Sequence, residues 1–366
     1  MKALVTLGDG DIALQDAAVP VISPDEILVN VVVATQNPTD CTYRKTALLH
    51  NKPGNILGCD FAGTVVEIGL RVPAGLRTVG ERVAGMIHGG VTPNGSFAEY
   101  LAVHGALVIS IPDDVSFVHA AQLGAACLTS CQALYQSLHL PTPLHPVPAD
   151  SGETVLIWSG TSATGAYAVQ LAKLAGLRVI STASEGNIEF VKALGADAVF
   201  DYTDSRAPKL IVEATGNQLR AAMDCISDGM TTVQTVMSMG AEGGTVATLL
   251  PYTSRRRDVP VETVFVLAYS IFGKASGAPD SIIDIEFPFK FPANSGHLEN
   301  AITYCEMLST ILARKALRPI PVRMYPHGLA SVRVGFEDMK AGKVHAEKIT
   351  YVIADTPGVG DRPADI

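Results

Sequence analysis

Thr154-Val155-Leu156-Ile157-Trp158-Ser159-Gly160-Thr161-Ser162-Ala163-Thr164-Gly165 opens the stretch that decides the architecture. Its first five residues are an apolar run bounded by turn residues, the pattern of a strand covered on both faces. Gly165 to Gly176 then spaces Val169, Leu171, Ala172 and Leu174 as a helix does, and Arg178 to Thr182 follows at once as a second apolar strand. This is a βαβ unit. Downstream, Ile188 to Leu194 reads as the next helix and Ala198 to Phe200 as the next short strand, with Leu210 to Glu213, Ala221 to Ile226 and Gly244 to Leu250 as further candidates. Alternation of this kind predicts a doubly wound parallel sheet of the Rossmann type, with helices on both faces.

Working outward, the first 110 or so residues have a different texture. Short apolar runs at Ile27 to Val33, Gly63 to Ile68, Arg82 to Met86, Phe97 to Val103 and Ala106 to Ile111 predict a compact β domain. From about Ser116 the chain turns Ala-rich and helical. Leu140 to Asp150 (LPTPLHPVPAD) holds four prolines in eleven residues and reads as a stiff loop. Near the end, His297 to Ala313 looks amphipathic and helical, Arg318 to Met324 and Lys348 to Ile353 look strand-like, and residues 354–366 look disordered. The expected division is residues 1–125 as the first part of a mostly β catalytic domain, 126–312 as an inserted dinucleotide-binding domain, and 313–366 as the return to the catalytic domain and a tail.

The bulk properties agree. At 366 residues the chain is about twice a usual domain, and 48% apolar residues can fill two cores. A formal charge of −9, with no long run of either sign, disfavours nucleic acid and anionic lipid as partners. No stretch approaches the ~18 uninterrupted apolar residues of a membrane helix. Met1 to Thr6 leads straight into a strand pattern, so a cytoplasmic protein is expected. The six cysteines, at 41, 59, 127, 131, 225 and 305, form no disulfide framework and no zinc ribbon.

The turn Gly160-Thr161-Ser162-Ala163-Thr164 between strand and helix directs backbone amides towards a diphosphate, and its small side chains let the phosphate approach. The strict G-x-G-x-x-G pattern is absent, and a merely tight turn gives the same sequence. The second strand ends in Ser181-Thr182-Ala183-Ser184-Glu185-Gly186-Asn187. An NAD site usually places a carboxylate there for the ribose hydroxyls, whereas a small hydroxylic end suits a 2′-phosphate, so NADPH is the expected cofactor, with Ser184 and Asn187 beside it. Glu185 must then point outward.

Ordered pieces along the chain carry a family resemblance: Asn37-Pro38-Thr39-Asp40, Leu57-Gly58-Cys59-Asp60-Phe61-Ala62-Gly63, Val79-Gly80-Glu81-Arg82-Val83, Gly95-Ser96-Phe97-Ala98-Glu99-Tyr100, the Gly-rich turn, Leu194-Gly195-Ala196-Asp197, and Gly342 with Glu347-Lys348. Together they resemble the medium-chain dehydrogenase/reductase superfamily, which implies a GroES-like catalytic domain around the Rossmann domain. Its zinc enzymes have Gly-His-Glu where this chain has Gly58-Cys59-Asp60, and no metal is expected. Thr161-Ser162-Ala163-Thr164, the proline-rich loop, Phe200-Asp201-Tyr202, Met223-Asp224-Cys225-Ile226 and Ile271-Phe272-Gly273 resemble the zinc-independent, trans-acting enoyl reductases that work beside fungal polyketide synthases.

That resemblance implies reduction of an α,β-unsaturated, carrier-bound polyketide thioester, with a synthase as partner and a monomer or homodimer as the assembly. It places Ser184 and Tyr202 on the 2′-phosphate, Thr129 and Leu250 near the nicotinamide, and Asn37, His88, Phe272 and Gly273 on the substrate side. A hydride acceptor of this kind also needs a donor for the enolate. Many relatives carry a lysine two residues beyond the Asp of Asn-Pro-Thr-Asp; here Thr42 stands there, followed by Tyr43, so Tyr43 ranks first as donor and Thr42 second. Two other readings share these features: a quinone or alkenal reductase, and a redox-silent member that binds a polyketide and guides its cyclisation.

Overall fold

The computed structural model describes residues 1–8, 10–41, 52–148, 150–272, 285–286, 290–291 and 294–360. Thr42, Tyr43 and Gly273 lie outside the described residues. The chain divides into two compact units, one of Met1–Ala125, Tyr269–Arg314 and Pro319–Ile366, the other of Ala126–Ala268 and Lys315–Arg318.

The first unit opens with an antiparallel hairpin of β1 (Lys2–Gly8) and β2 (Asp11–Asp16), followed by β3 (Glu26–Thr35) and the short helix α1 (Pro38–Cys41). Next come β4 (Asp60–Ile68), β5 (Arg82–Met86), β6 (Tyr100–His104), β7 (Val108–Ser110) and α2 (Phe117–Ala120). The organising strand is β3. One edge pairs with β4 along its length; the other pairs with β6 through Glu26 to Asn30. Its run ILVNVVVA feeds two apolar clusters, and an irregularity between Val31 and Val33 switches the alternation. Ile27, Val29 and Val31 therefore join Phe61 and Leu101, Val33 turns to Ala62 and Phe117, and Ala34 returns to the first cluster. A one-residue bulge is what lets one strand serve both sides.

The second unit begins within α3 (Gly124–Cys131) and contains β8 (Thr154–Trp158), α4 (Ala163–Leu174), β9 (Arg178–Ala183), α5 (Ile188–Ala193), β10 (Ala198–Asp201), α6 (Ala207–Ala214), β11 (Ala221–Asp224), α7 (Thr231–Met237), β12 (Gly244–Thr248) and β13 (Val261–Phe265). The six strands are parallel in the order β10-β9-β8-β11-β12-β13. This is the doubly wound Rossmann-type sheet expected from the sequence. Strand order reverses beside β8, whose carboxyl end meets the Gly-rich turn, the usual ligand position in such sheets.

The chain then returns through the two-residue strands β14 (Ile285–Glu286) and β15 (Lys290–Phe291), then α8 (Ser295–Ala313), β16 (Val322–Met324), α9 (Val332–Lys340) and β17 (Lys348–Val352). β17 pairs with β3 through Val33 to Thr35, completing the edge that β6 leaves free.

Several expectations are corrected. Residues 269–312, assigned on sequence to the dinucleotide domain, fall in the first unit; Ser110 on β7 donates its amide to Ser309 Oγ on α8 at 3.0 Å. Leu210 to Glu213 is part of helix α6, with Pro208 in its first turn, where a missing N–H costs nothing. The start of the tail is packed rather than loose, since Thr356 is buried and its Oγ1 accepts the Leu329 amide at 2.9 Å. Among the described residues, no helix is long and apolar enough to cross a membrane.

Candidate active site

In the second unit the β8–α4 turn is built around Ser159, a non-glycine residue in the left-handed region at φ 66. Its amide donates to Thr182 Oγ1 at 2.9 Å, and its carbonyl accepts from Ser162 Oγ at 3.0 Å. The same Ser162 oxygen caps α4 by accepting the Gly165 amide at 3.0 Å. The amides of Ala163 and Thr164 are left without an acceptor among the described residues. A Cβ on Gly160 would stand 2.4 Å from Ser181 Oγ and 2.7 Å from Val191 Cγ1, so only glycine fits where the turn crosses β9. Open amides, a helix N-terminus and small side chains fit a dinucleotide diphosphate.

At the end of β9, Asn187 Nδ2 donates to Ser184 Oγ at 2.9 Å, while Glu185 is exposed. Tyr202, at the end of β10, is 41% exposed, and its amide donates to Ala183 O at 3.2 Å. Ser184, Asn187 and Tyr202 are thus gathered around one strand end. Thr129 is buried, and its neighbour Ser130 donates to Thr164 O at 3.0 Å, tying α3 to the start of α4. Leu250 is exposed beyond β12, and the preceding residue is held by a network the sequence did not signal. Buried Asp224 accepts the amides of Ile226 and Ser227 and the hydroxyls of Thr231 and Thr232; Ser227 Oγ in turn accepts the Leu249 amide at 2.7 Å.

In the first unit a buried ionic lock surrounds Asp60. Its Oδ2 takes Lys348 Nζ at 3.0 Å and Asn37 Nδ2 at 2.9 Å, and its Oδ1 takes the Ala125 amide at 2.6 Å. Lys348 also donates to Asn37 Oδ1 at 2.6 Å. Asn37, expected on the substrate side, therefore has both ends of its amide in this lock. Gly58, at φ 93, makes the arrangement possible: a Cβ there would stand 2.5 Å from the Phe97 ring.

Beside the lock, Cys59 Sγ donates to Asp40 Oδ1 at 3.3 Å and lies 3.1 Å from Tyr269 Oη, which donates to Thr39 Oγ1 at 2.9 Å. Burial raises the Asp40 carboxyl to about 7, against the Asn37 amide that Asp40 Oδ2 accepts at 2.7 Å. Burial, and then the Asp40 charge, pushes the Cys59 thiol well above its usual range. His88 is buried and stacks on the Tyr269 ring with centroids 4.0 Å apart, and Phe272 lies parallel to His88 at 6.4 Å. His88 and Phe272 are therefore brought together, with Tyr269 between them in role though not foreseen. A metal does not fit these donors. The thiol is held protonated, and the Lys348 ammonium already neutralises Asp60.

Comparisons with known proteins agree on the family. The family model described as alcohol dehydrogenase GroES-like domain matches residues 23–113, and that described as zinc-binding dehydrogenase matches residues 163–284. A trans-enoyl reductase of Alternaria alternata is 34% identical over 356 residues, covering 96% of this chain and 98% of its own. The chain belongs to the trans-enoyl reductase family, within the medium-chain dehydrogenase/reductase superfamily. Another trans-enoyl reductase, from Aspergillus niger, is 34% identical over 364 residues, covering 96% of each chain. Among solved structures, an alcohol dehydrogenase superfamily protein from Novosphingobium aromaticivorans matches with a TM-score of 0.76 at 22% identity, covering 96% of this chain and 98% of its own. The CurK enoyl reductase matches at 0.72 and 18%, with the same coverage. At such identities these two share the fold with this trans-enoyl reductase, whose cofactor is a nicotinamide dinucleotide.

Proposed function

We propose that this trans-enoyl reductase uses NADPH to reduce the C=C bond of an α,β-unsaturated polyketide thioester presented on a carrier, with a polyketide synthase as its partner. The observation that carries the reading is the 34% identity to trans-enoyl reductases along 96% of the chain. The end of β9 supports NADPH over NADH: Ser184 and Asn187 offer donors to a 2′-phosphate, and Glu185, the carboxylate that follows Ser184, is turned to solvent. When bound, the reduced nicotinamide supplies the hydride.

The chain's own residues divide the remaining work. The amides of Ala163 and Thr164 and the N-terminus of α4 hold the diphosphate; Ser184, Asn187 and Tyr202 hold the 2′-phosphate. Thr129 and the Leu249-Leu250 backbone flank the nicotinamide end. His88, Phe272 and Gly273 wall the acyl chain, and Asn37 braces that wall through Asp60 and Lys348. Tyr43, and after it Thr42, donates to the thioester oxygen on which negative charge develops.

Fluorescence titration with NADPH and with NADH, followed by cofactor oxidation on adding substrate, tests the proposal. The expected result is tighter NADPH binding and oxidation that depends on an α,β-unsaturated thioester, faster when it is carrier-bound than when free. Oxidation by free quinones or alkenals with none by thioesters would replace the substrate assignment. NADPH binding without any oxidation would support the redox-silent reading, and no binding would overturn the cofactor assignment.

A further inference from the structure

Asp40, Cys59, Tyr269 and Thr39 form one unbranched chain of hydrogen bonds, with steps of 3.3, 3.1 and 2.9 Å. Its first three members are 3%, 2% and 7% exposed, whereas Thr39 is half-buried. A chain running from a buried carboxyl to a partly exposed hydroxyl is unusual as a packing device. Apolar side chains of the same volume would fill the space without burying an acid. Each interior member both donates and accepts, so the chain has two polarities. With Asp40 ionised, the thiol donates to the carboxylate. With Asp40 protonated, the acid donates to Sγ, the thiol to Tyr269 Oη, and the phenol to Thr39 Oγ1.

We propose that Asp40, Cys59 and Tyr269 are a proton relay that ends at the Thr39 hydroxyl and supplies the proton added to the substrate α-carbon. The proposal rests on the enoyl-reductase reading. Hydride addition at the β-carbon leaves an enolate. As its α-carbon takes the Thr39 proton, Thr39 takes one from Tyr269, Tyr269 from Cys59, and Cys59 from Asp40. One O–H bond is lost at Asp40, one C–H bond forms at the α-carbon, and the carboxylate regains its proton from water. No thiolate or phenolate stands alone, consistent with burial raising both the Cys59 and Tyr269 groups.

The groups facing Asp40 suit a donor. The Asn37 amide favours the anion, as does Lys348 from β17, while burial and the Asp60 carboxylate favour the acid. The balance, near 7, keeps both polarities populated at neutral pH. His88 and Phe272 stack beside the Tyr269 ring and fix its plane.

Two measurements decide the matter. In cofactor-free protein, the infrared S–H band of Cys59, assigned by its loss in Cys59→Ser, is expected to shift as pH passes through about 7, because the thiol changes its acceptor. The shift disappears in Asp40→Asn. In turnover with NADPH in heavy water, the wild type places deuterium on one face of the α-carbon. Tyr269→Phe and Thr39→Val should lower kcat on the order of 10- to 100-fold and deuterate both faces, with hydride still delivered to the β-carbon. Cys59→Ser keeps a donor and acceptor in place and should retain one-faced deuteration. An S–H band indifferent to pH, or one-faced deuteration retained in Tyr269→Phe and Thr39→Val but lost in Tyr43→Phe, would overturn the relay. Loss of β-carbon hydride delivery in the wild type itself would instead overturn the reductase reading.

Discussion

Lys348 is 4% exposed and holds its charge against a fully buried Asp60. A buried pair is expensive to form, yet removing one partner strands the other, at about 3–5 kcal/mol. Lys348→Met should therefore destabilise the protein by about that amount in denaturant unfolding, and a loss below about 1 kcal/mol would mean that water reaches Asp60. Asp40 acts in the opposite sense. Its folded value is raised from 3.8 to about 7, so between those limits the folded protein keeps a proton that the unfolded chain releases. Stability should fall as pH rises through that window, by on the order of 4 kcal/mol for the full shift, and be flat above it. Asp40→Asn should flatten the decline; an unchanged slope in thermal melts across that range would show that another group titrates. The motifs Asn37-Pro38-Thr39-Asp40 and Gly58-Cys59-Asp60 were legible as pieces of the family pattern because each is contiguous, although only Asn37 was expected at the site. Tyr269 was not, since it reaches Cys59 across 210 residues and nothing local marks a tyrosine that will be buried beside a thiol.

At the scale of elements, the β8–α4–β9 unit was readable because its periodicity changes abruptly at a Gly-rich turn. α4 spans Ala163–Leu174 where Gly165 to Gly176 was expected, a shift of one half-turn set by the Ser162 cap. Elements without periodicity were lost. Leu210 to Glu213 is too short and apolar to be told from a strand, and only Pro208 signals the helix that contains it. α7 and the edge strand β13 carry no comparable mark; α7 is held by packing on β11 and β13 by pairing with β12. The turn itself yields a graded prediction. Ser162→Ala removes the cap and should cost about 1 kcal/mol of stability while weakening NADPH modestly. Gly160→Ala forces a Cβ to within 2.4 Å of Ser181 Oγ, so the turn must move and NADPH binding should weaken more than in Ser162→Ala. Titration of the two variants by fluorescence checks the order; equal affinities would show that the turn is not where the diphosphate rests.

At the scale of the whole molecule, the division into two units was legible at its first boundary and not at its second. The texture changes from about Ser116, shortly before the unit boundary, but the return is gradual, because α8 is amphipathic like any Rossmann helix and declares its unit through contacts such as that of Ser309 with β7. The pairing of β17 with β3 carries Lys348 back to Asp60 from the far end of the chain. The first unit thus depends on segments 288 residues apart for its buried lock. In the proposal the second unit binds the dinucleotide, and the first holds the acyl chain and the relay. NADPH deuterated at the transferring position of the nicotinamide, mixed with an α,β-unsaturated carrier-bound thioester, tests that account most directly. It predicts a saturated thioester with a single deuterium on the β-carbon, located by mass spectrometry and NMR. A saturated product free of deuterium, or thioester recovered unchanged beside saturating NADPH, would contradict it.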